Sequence, residues 1–127
     1  MEINNPAVVA EVEAAFARYE AALVSNDLAT LDASFWESGH TIRFGAGENL
    51  HGIGEIRAFR TARLSSGLMR QLERTVITTF GQDFATASTL FRRDGMAGKI
   101  GRQMQTWVRM PDGWRVVAAT VSVIAET

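Results

Sequence analysis

The hexapeptide HTIRFG, residues 40 to 45, has the look of a strand with an arginine at its centre. Period-two alternation sends His40, Ile42 and Phe44 to one face and Thr41 and Arg43 to the other. A guanidinium in a half-buried strand needs something anionic to meet it. Three readings of Arg43 are open. It faces solvent on an edge strand, or pairs with a structural acid, or projects into a cavity. In a cavity its planar fork would hold a carboxylate through two parallel hydrogen bonds.

Tyr19, in FARYEAAL, is the second candidate. It shares a helical stripe with Val12, Phe16 and Leu23. It is either a core tyrosine whose hydroxyl reaches the rim, or a phenol aimed into a pocket between helix and sheet. Within GRQMQTW, residues 101 to 107, Arg102, Gln103, Gln105 and Thr106 put polar groups on both faces of a central strand. One face could be a wet dimer surface and the other a pocket wall, or both could be ordinary solvated surface. Arg60 and Arg63 of FRTAR, and Arg92 and Arg93 of FRR, read as surface charge.

His40 and His51 cannot close a typical metal site without carboxylate help. No HxH or HExxH spacing exists, so no metal is expected. GAGENLHGIG, residues 45 to 54, lacks both the strand–GxGxxG–helix order and the lysine of a phosphate loop. It reads as a flexible loop at a pocket mouth.

Composition narrows the chemistry. The 127 residues make one domain with room for a hydrophobic core. Thirteen basic against fourteen acidic residues argue against a general nucleic-acid binder. The absence of cysteine excludes disulfides, thiolate nucleophiles and cysteine-based zinc sites. No apolar run approaches the ~20 residues of a membrane span, and MEINNPAVV lacks the basic start and apolar core of a secretory signal. A cytoplasmic protein is the expectation.

The positioning elements divide into a helical first half and a strand-rich second half. Asn5 and Pro6 predict a helix start, with a side-chain acceptor at the N-cap and a ring preset for the first turn. Val9, Val12, Phe16, Tyr19 and Leu23 carry that helix to about Ser25. Asn26 or Asp27 caps a short second helix over residues 28–34, and a third runs over residues 54–64 with Ile56, Phe59 and Ala62 inward. Strands follow over residues 70–80, 84–93, 99–110 and 114–125, joined by Gly81-Gln82-Asp83, Asp94-Gly95 and Pro111-Asp112-Gly113. Three hairpins imply a four-stranded antiparallel sheet that HTIRFG extends at an edge. Helices grouped before strands indicate an α+β fold with the helices on one sheet face.

In order along the chain, NPAVVAEVEAAFARYEAALVSNDLATLDASFW, HTIRFGAGENLHGIGEIRAFRTAR, TVITTFGQDFATAS and GRQMQTWVRMPDGWRVVAATVS resemble the AtzH-like family. That family lies in the SnoaL-like group of the nuclear-transport-factor-2-like (cystatin-like) superfamily. The resemblance implies a curved antiparallel sheet over three helices, a conical pocket between them, and a homodimer formed through the outer sheet face. It also implies Tyr19 and Arg43 as the active pair, with Arg43 holding a substrate carboxylate. Arg102, Gln105 and Thr120 are candidates for lining the pocket. Thr120 stands where many relatives are expected to have histidine, and Met104 where a small polar residue is usual. Both changes could reshape the pocket wall.

The resemblance suggests a cofactor-free hydrolase or decarboxylase for a carboxylated ureido or amide compound of oxalurate or carboxyurea type, with water as nucleophile. A non-catalytic binding or accessory protein of an amidohydrolase pathway is the alternative. A SnoaL-type isomerase or dehydratase, with Asp32 or Glu48 as its acid–base group, is a third. An apolar excess on the sheet, Trp107, Trp114, Val117 and Val121, supports the expected dimer.

Overall fold

Asn5 starts the first helix as the sequence predicts, its side chain accepting from the Ala7 and Val8 amides. A computed structural model describes residues 1–126. Helix α1 (Pro6–Ser25) ends at Asn26, whose left-handed backbone turns the chain. Asp27, not Asn26, caps α2 (Leu28–Ala33), accepting from the Thr30 amide. The α1 stripe buries Val8, Val12, Phe16, Tyr19 and Leu23. Val8 takes the position the spacing assigned to Val9, which is half-buried.

Strands β1 (Ile42–Phe44) and β2 (Asn49–His51) form a short hairpin before α3 (Ile53–Ala62). Strands β3 (Gln71–Phe80), β4 (Phe84–Arg92), β5 (Lys99–Met110) and β6 (Gly113–Ala125) then run as an antiparallel meander. The sheet order is β2-β1-β6-β5-β4-β3. HTIRFG extends the four-stranded meander at its β6 edge, as the sequence suggests, and β2 then adds outside it. One expectation needs correction. The glycine-rich segment is more than a flexible loop, since Asn49–His51 pair with β1. Three residues per strand were too few for a periodicity signal.

Register fixes the two faces of the sheet. β1 pairs parallel with β6, matching Arg43 to Ala119 and Phe44 to Thr120. Continuing across β5, Ala119 faces Gln105 and Thr120 faces Met104. Neighbours in register share a face. Arg43, Ala119 and Gln105 therefore point towards the helices, while Phe44, Thr120 and Met104 point away. A bulge between Thr106 and Trp107 and another after Glu73 bend the sheet around α1. Gly101 faces Phe91 across the β4–β5 ladder, and a Cβ there would land on the Phe91 ring.

The core lies between α1, α2, α3 and the inner face. Trp107 and Trp114 belong to it rather than to the outer face, at 1% and 8% exposure. The Trp107 indole N–H donates to Gln105 and that of Trp114 to Glu11. Within α3, Ile56 is buried and Phe59 packs partly against the core, but Ala62 is exposed. Arg60 is buried in its place, over the Phe35 ring and bonded to Asp32. No helix among the described residues is long and apolar enough to cross a membrane.

Candidate functional site

Tyr19 and Arg43 reach the same cavity, from α1 and β1 respectively. It encloses about 210 Å³ between α1, α3 and the inner sheet face. The Tyr19 ring is 4% exposed and packs at 6.1 Å from Phe35 and 6.4 Å from Trp107. Those contacts fix the ring and leave the phenol oxygen as its only polar atom at the cavity. Among the described residues nothing hydrogen-bonds that hydroxyl.

Arg43 combines two of the readings its sequence left open. Its guanidinium lines the cavity and also pairs with an acid, donating to Glu48 at 2.9 Å. It lies 5.6 Å from the Phe59 ring centroid, which adds a cation–π contact. Glu48 reaches back from the β1–β2 connection and packs over Gly45, where a Cβ would collide with its carboxylate. The glycine permits this inward fold.

Three further arginines, none of them anticipated as site residues, line the same space: Arg63, Arg70 and Arg93. Arg70 is the best held. It donates to both oxygens of Glu20, at 2.9 and 2.6 Å, and to the Gln103 carbonyl at 3.1 Å. That last bond sets the orientation of the Gln103 amide. The Gln103 NH₂, buried and without a partner, is left on the cavity side.

Arg63 caps the C-terminal end of α3, and Arg93 extends the inward alternation of β4 beyond Phe91. Neither makes an ion pair among the described residues, and the buried Nε atoms of both lack acceptors. Burial first, then the charge of Arg43, lowers Arg63 from the ordinary guanidinium value. Arg93 is lowered by burial and then by Arg70. Arginine stays charged through shifts of this kind, so the cavity holds cations under mutual strain.

Arg60 lies just behind this wall, lowered chiefly by burial and supported by Tyr19 and Asp32. The surface-charge reading therefore fails for Arg60, and for Arg63 and Arg93, which are half-buried. It holds for Arg92, which pairs with Glu73 and Glu126. The FRR alternation did contain the signal, since Arg93 must share a face with Phe91. Nothing local marks Arg63 or Arg70, whose burial depends on elements far away in the chain.

The other sequence candidates go elsewhere. Arg102 and Thr120 sit on the outer sheet face, in a groove with Arg74, Met104 and Ser122, and cannot line the cone. The Thr120 and Met104 departures therefore leave the cavity wall unchanged. Gln105 does face inward, but it is buried in the core with its carbonyl bound to Trp107, outside the cavity lining. His40 stacks on Trp36 and His51 meets the edge of Phe44. A larger open depression near α2 has its charges already matched, Arg57 to Glu37 and Arg115 to Asp112.

The AtzH-like family profile matches residues 1–127. Two solved structures are similar over nearly the whole chain. A protein of unknown function from Pectobacterium atrosepticum is 62% identical, with 97% of this chain and 95% of that one covered and a TM-score of 0.94. A cystatin-like fold protein from Burkholderia xenovorans is 51% identical, with 100% and 99% covered and a TM-score of 0.95. An NTF2-like protein from Pseudomonas putida is 18% identical over 91% and 86%, with a TM-score of 0.77, a likeness of fold alone. No curated protein matches the chain.

Proposed function

The chain belongs to the AtzH-like family, and from its donor-lined cone we propose a small hydrolase or decarboxylase for a carboxylated ureido or amide compound. The reaction would belong to nitrogen-compound catabolism, with a substrate of oxalurate or carboxyurea type. One observation carries this reading. The Tyr19 hydroxyl and the Arg43 guanidinium converge on one small cavity whose other polar groups are almost all donors. Such a lining suits an acceptor-rich anion and would reject a cation.

Arg43 would orient the substrate carboxylate and stabilise the negative charge that grows as a C–N or C–C bond breaks. Tyr19 would hydrogen-bond the carbonyl, or protonate the departing nitrogen. Water would be the nucleophile in a hydrolysis. Glu48 has to release Arg43 before a substrate carboxylate takes its place, and the freed carboxylate could then accept a proton from that water. No cofactor enters this scheme.

A binding or accessory role without turnover is the second reading. Among the described residues Glu48 is the only carboxylate lining the cone, and Arg43 already engages it, which leaves no free general base. Incubation with oxalurate and with N-carboxylated ureas separates the two readings. Catalysis is expected to release CO₂ or ammonia, or urea and oxalate where oxalurate is hydrolysed at its amide bond, and Tyr19→Phe to lose turnover while ligand affinity stays within about threefold. Saturable binding without any product would assign the cone to a carrier role.

We also propose a homodimer formed through the outer sheet face, for reasons other than the tryptophans. Val76, Phe84, Met104 and Ile124 are all more than two-fifths exposed. The first three are brought to the outer face by register, as is Ile124 beside Ile100. They alternate there with Ser88, Arg102, Thr120 and Ser122, a mixed apolar and polar surface of the kind a wet subunit interface carries. Light scattering at micromolar concentration should give twice the 13.9 kDa chain mass, and a monomer there would refute the dimer.

A further inference from the structure

We propose that Arg60, buried behind the cone wall, is a positioning residue for Tyr19, its charge favouring the phenolate that remains once the phenol gives up its proton. This rests on the reading above, in which Tyr19 serves a reaction, and commits Tyr19 to proton transfer rather than a hydrogen bond alone. The O–H bond breaks and its electron pair stays on the phenolate oxygen. The proton goes to the lone pair of the departing nitrogen, and water returns one to the phenolate.

The Arg60 side chain is 3% exposed, a state arginine rarely adopts unless it is paired. Its pairing is incomplete. Nη1 donates to Asp32 at 3.1 Å, while Nη2 is shielded from solvent and has no acceptor among the described residues. Asp32 also lies 3.7 Å from Arg57, so two guanidiniums share its charge. A buried arginine with half an acid is a poor device for stability. Phe35 links it to the site. The guanidinium carbon lies 4.3 Å from the centre of the Phe35 ring, and the Tyr19 ring packs 6.1 Å from that same centre. Burial lowers Arg60 most, and a charged Tyr19 then raises it, ahead of the hydrogen bond to Asp32. Such coupling is reciprocal, so a charged Arg60 favours the phenolate.

Other charges face Tyr19, but from different positions. Arg63 comes from the end of α3 and Arg93 from beyond β4, and for both a charged Tyr19 partly offsets the effect of burial. The β1 side brings Arg43 with Glu48, and Glu20 of α1 brings Arg70. All four of these arginines line the cavity, where an anionic substrate would neutralise them. Arg60 does not line it, and burial keeps substrate and water from screening its charge. It is the cation that still acts on the phenol when the cone is full.

Tyr19 is the only tyrosine in the chain, so the near-ultraviolet absorbance of tyrosinate reports on it alone. The whole protein is titrated towards alkaline pH at that band, over the range in which far-ultraviolet dichroism shows a folded chain. Arg60→Met should reach half-ionisation about one pH unit or more above wild type. Arg60→Lys keeps a charge and should recover at least half of that difference. Asp32→Asn keeps an acceptor for Nη1 but drops the opposing charge, so its midpoint should fall below that of wild type. It also tests the coupling if Arg60→Met does not fold. With oxalurate as substrate, Arg60→Met should lose about tenfold or more in kcat while KM stays within about threefold. A purely structural Arg60 would change melting temperatures and leave the midpoints together, and coincident midpoints overturn the proposal. Tyr19→Phe separates this from the catalytic reading. If it loses turnover while the Arg60 and Asp32 variants keep the wild-type midpoint and kcat, that reading stands and the role of Arg60 falls. If the midpoints move as stated but wild type forms no product, Arg60 governs Tyr19 and the catalytic reading falls.

Discussion

Replacing Glu20 with alanine should cost about 3–5 kcal/mol of folding stability, because it strands a buried guanidinium. Arg70 is 2% exposed at its side chain, so water cannot replace the lost carboxylate. Its Nε and one Nη depend on the two Glu20 oxygens, and only the Gln103 carbonyl would remain. The Phe91 ring, 4.7 Å from the guanidinium carbon, offers a cation–π contact worth at most about 2 kcal/mol. That is too little to compensate. Loss of Glu20 also removes one of the two negative charges that balance the cone, so repulsion from Arg93 and Arg43 adds to the cost.

Urea unfolding at fixed protein concentration measures this, with the midpoint falling and the slope unchanged. The double variant Glu20→Leu/Arg70→Leu should recover most of the loss, since removing both charges avoids the stranded one. A loss below about 1 kcal/mol in Glu20→Ala would mean that Arg70 finds another acid or reaches water.

Much of the scaffold was legible in the sequence because local chemistry decides it. Asn5-Pro6 specifies a helix start whatever follows. Lys99–Met110 has the strand bounds predicted for it, because turn residues flank it on both sides. Alternation alone placed Arg43 on the face of buried Thr41 and away from exposed Phe44. It could not supply the sheet order. The parallel partnership of β1 with β6 joins residues some 75 positions apart, and no local pattern encodes it.

The same limit explains the site. Tyr19 and Arg43 came from the resemblance, and their own patterns left both open. Arg63 and Arg93 read as surface charge, and Arg70 as no more than the start of a strand, because a single arginine at the end of a helix or strand normally reaches water. Three such ends meet over one cavity here, and only the tertiary fold reveals that. Arg102 and Thr120 failed for a simpler reason. They lie on the strands predicted for them, but on the face opposite the helices.

Removing the Arg43 fork should be the most damaging change to ligand choice. In the free protein Arg43 donates to Glu48, so a ligand carboxylate must displace one acid to gain another. The measured affinity is therefore the net of an exchange, and geometry decides its sign. Glu48 makes a single bond to Nη1, whereas a free carboxylate can engage the guanidinium through two parallel bonds. Arg43→Lys keeps the charge but loses the fork, so carboxylate binding should weaken clearly. Arg43→Ala should lose about 2 kcal/mol or more, and it leaves Glu48 unpaired at the mouth to repel the same ligand. If the cone is catalytic, the alanine variant should also lose about 10²- to 10³-fold in kcat, as expected for a donor aimed at developing charge. Glu48→Gln should do the opposite to affinity and tighten carboxylate binding, since the internal competitor is then neutral. Neutral amide analogues should bind wild type and both Arg43 variants with similar weakness. Calorimetry on these pairs is decisive. Equal affinity of wild type for acid and amide would make Arg43–Glu48 a structural ion pair and leave the cone without its proposed carboxylate site.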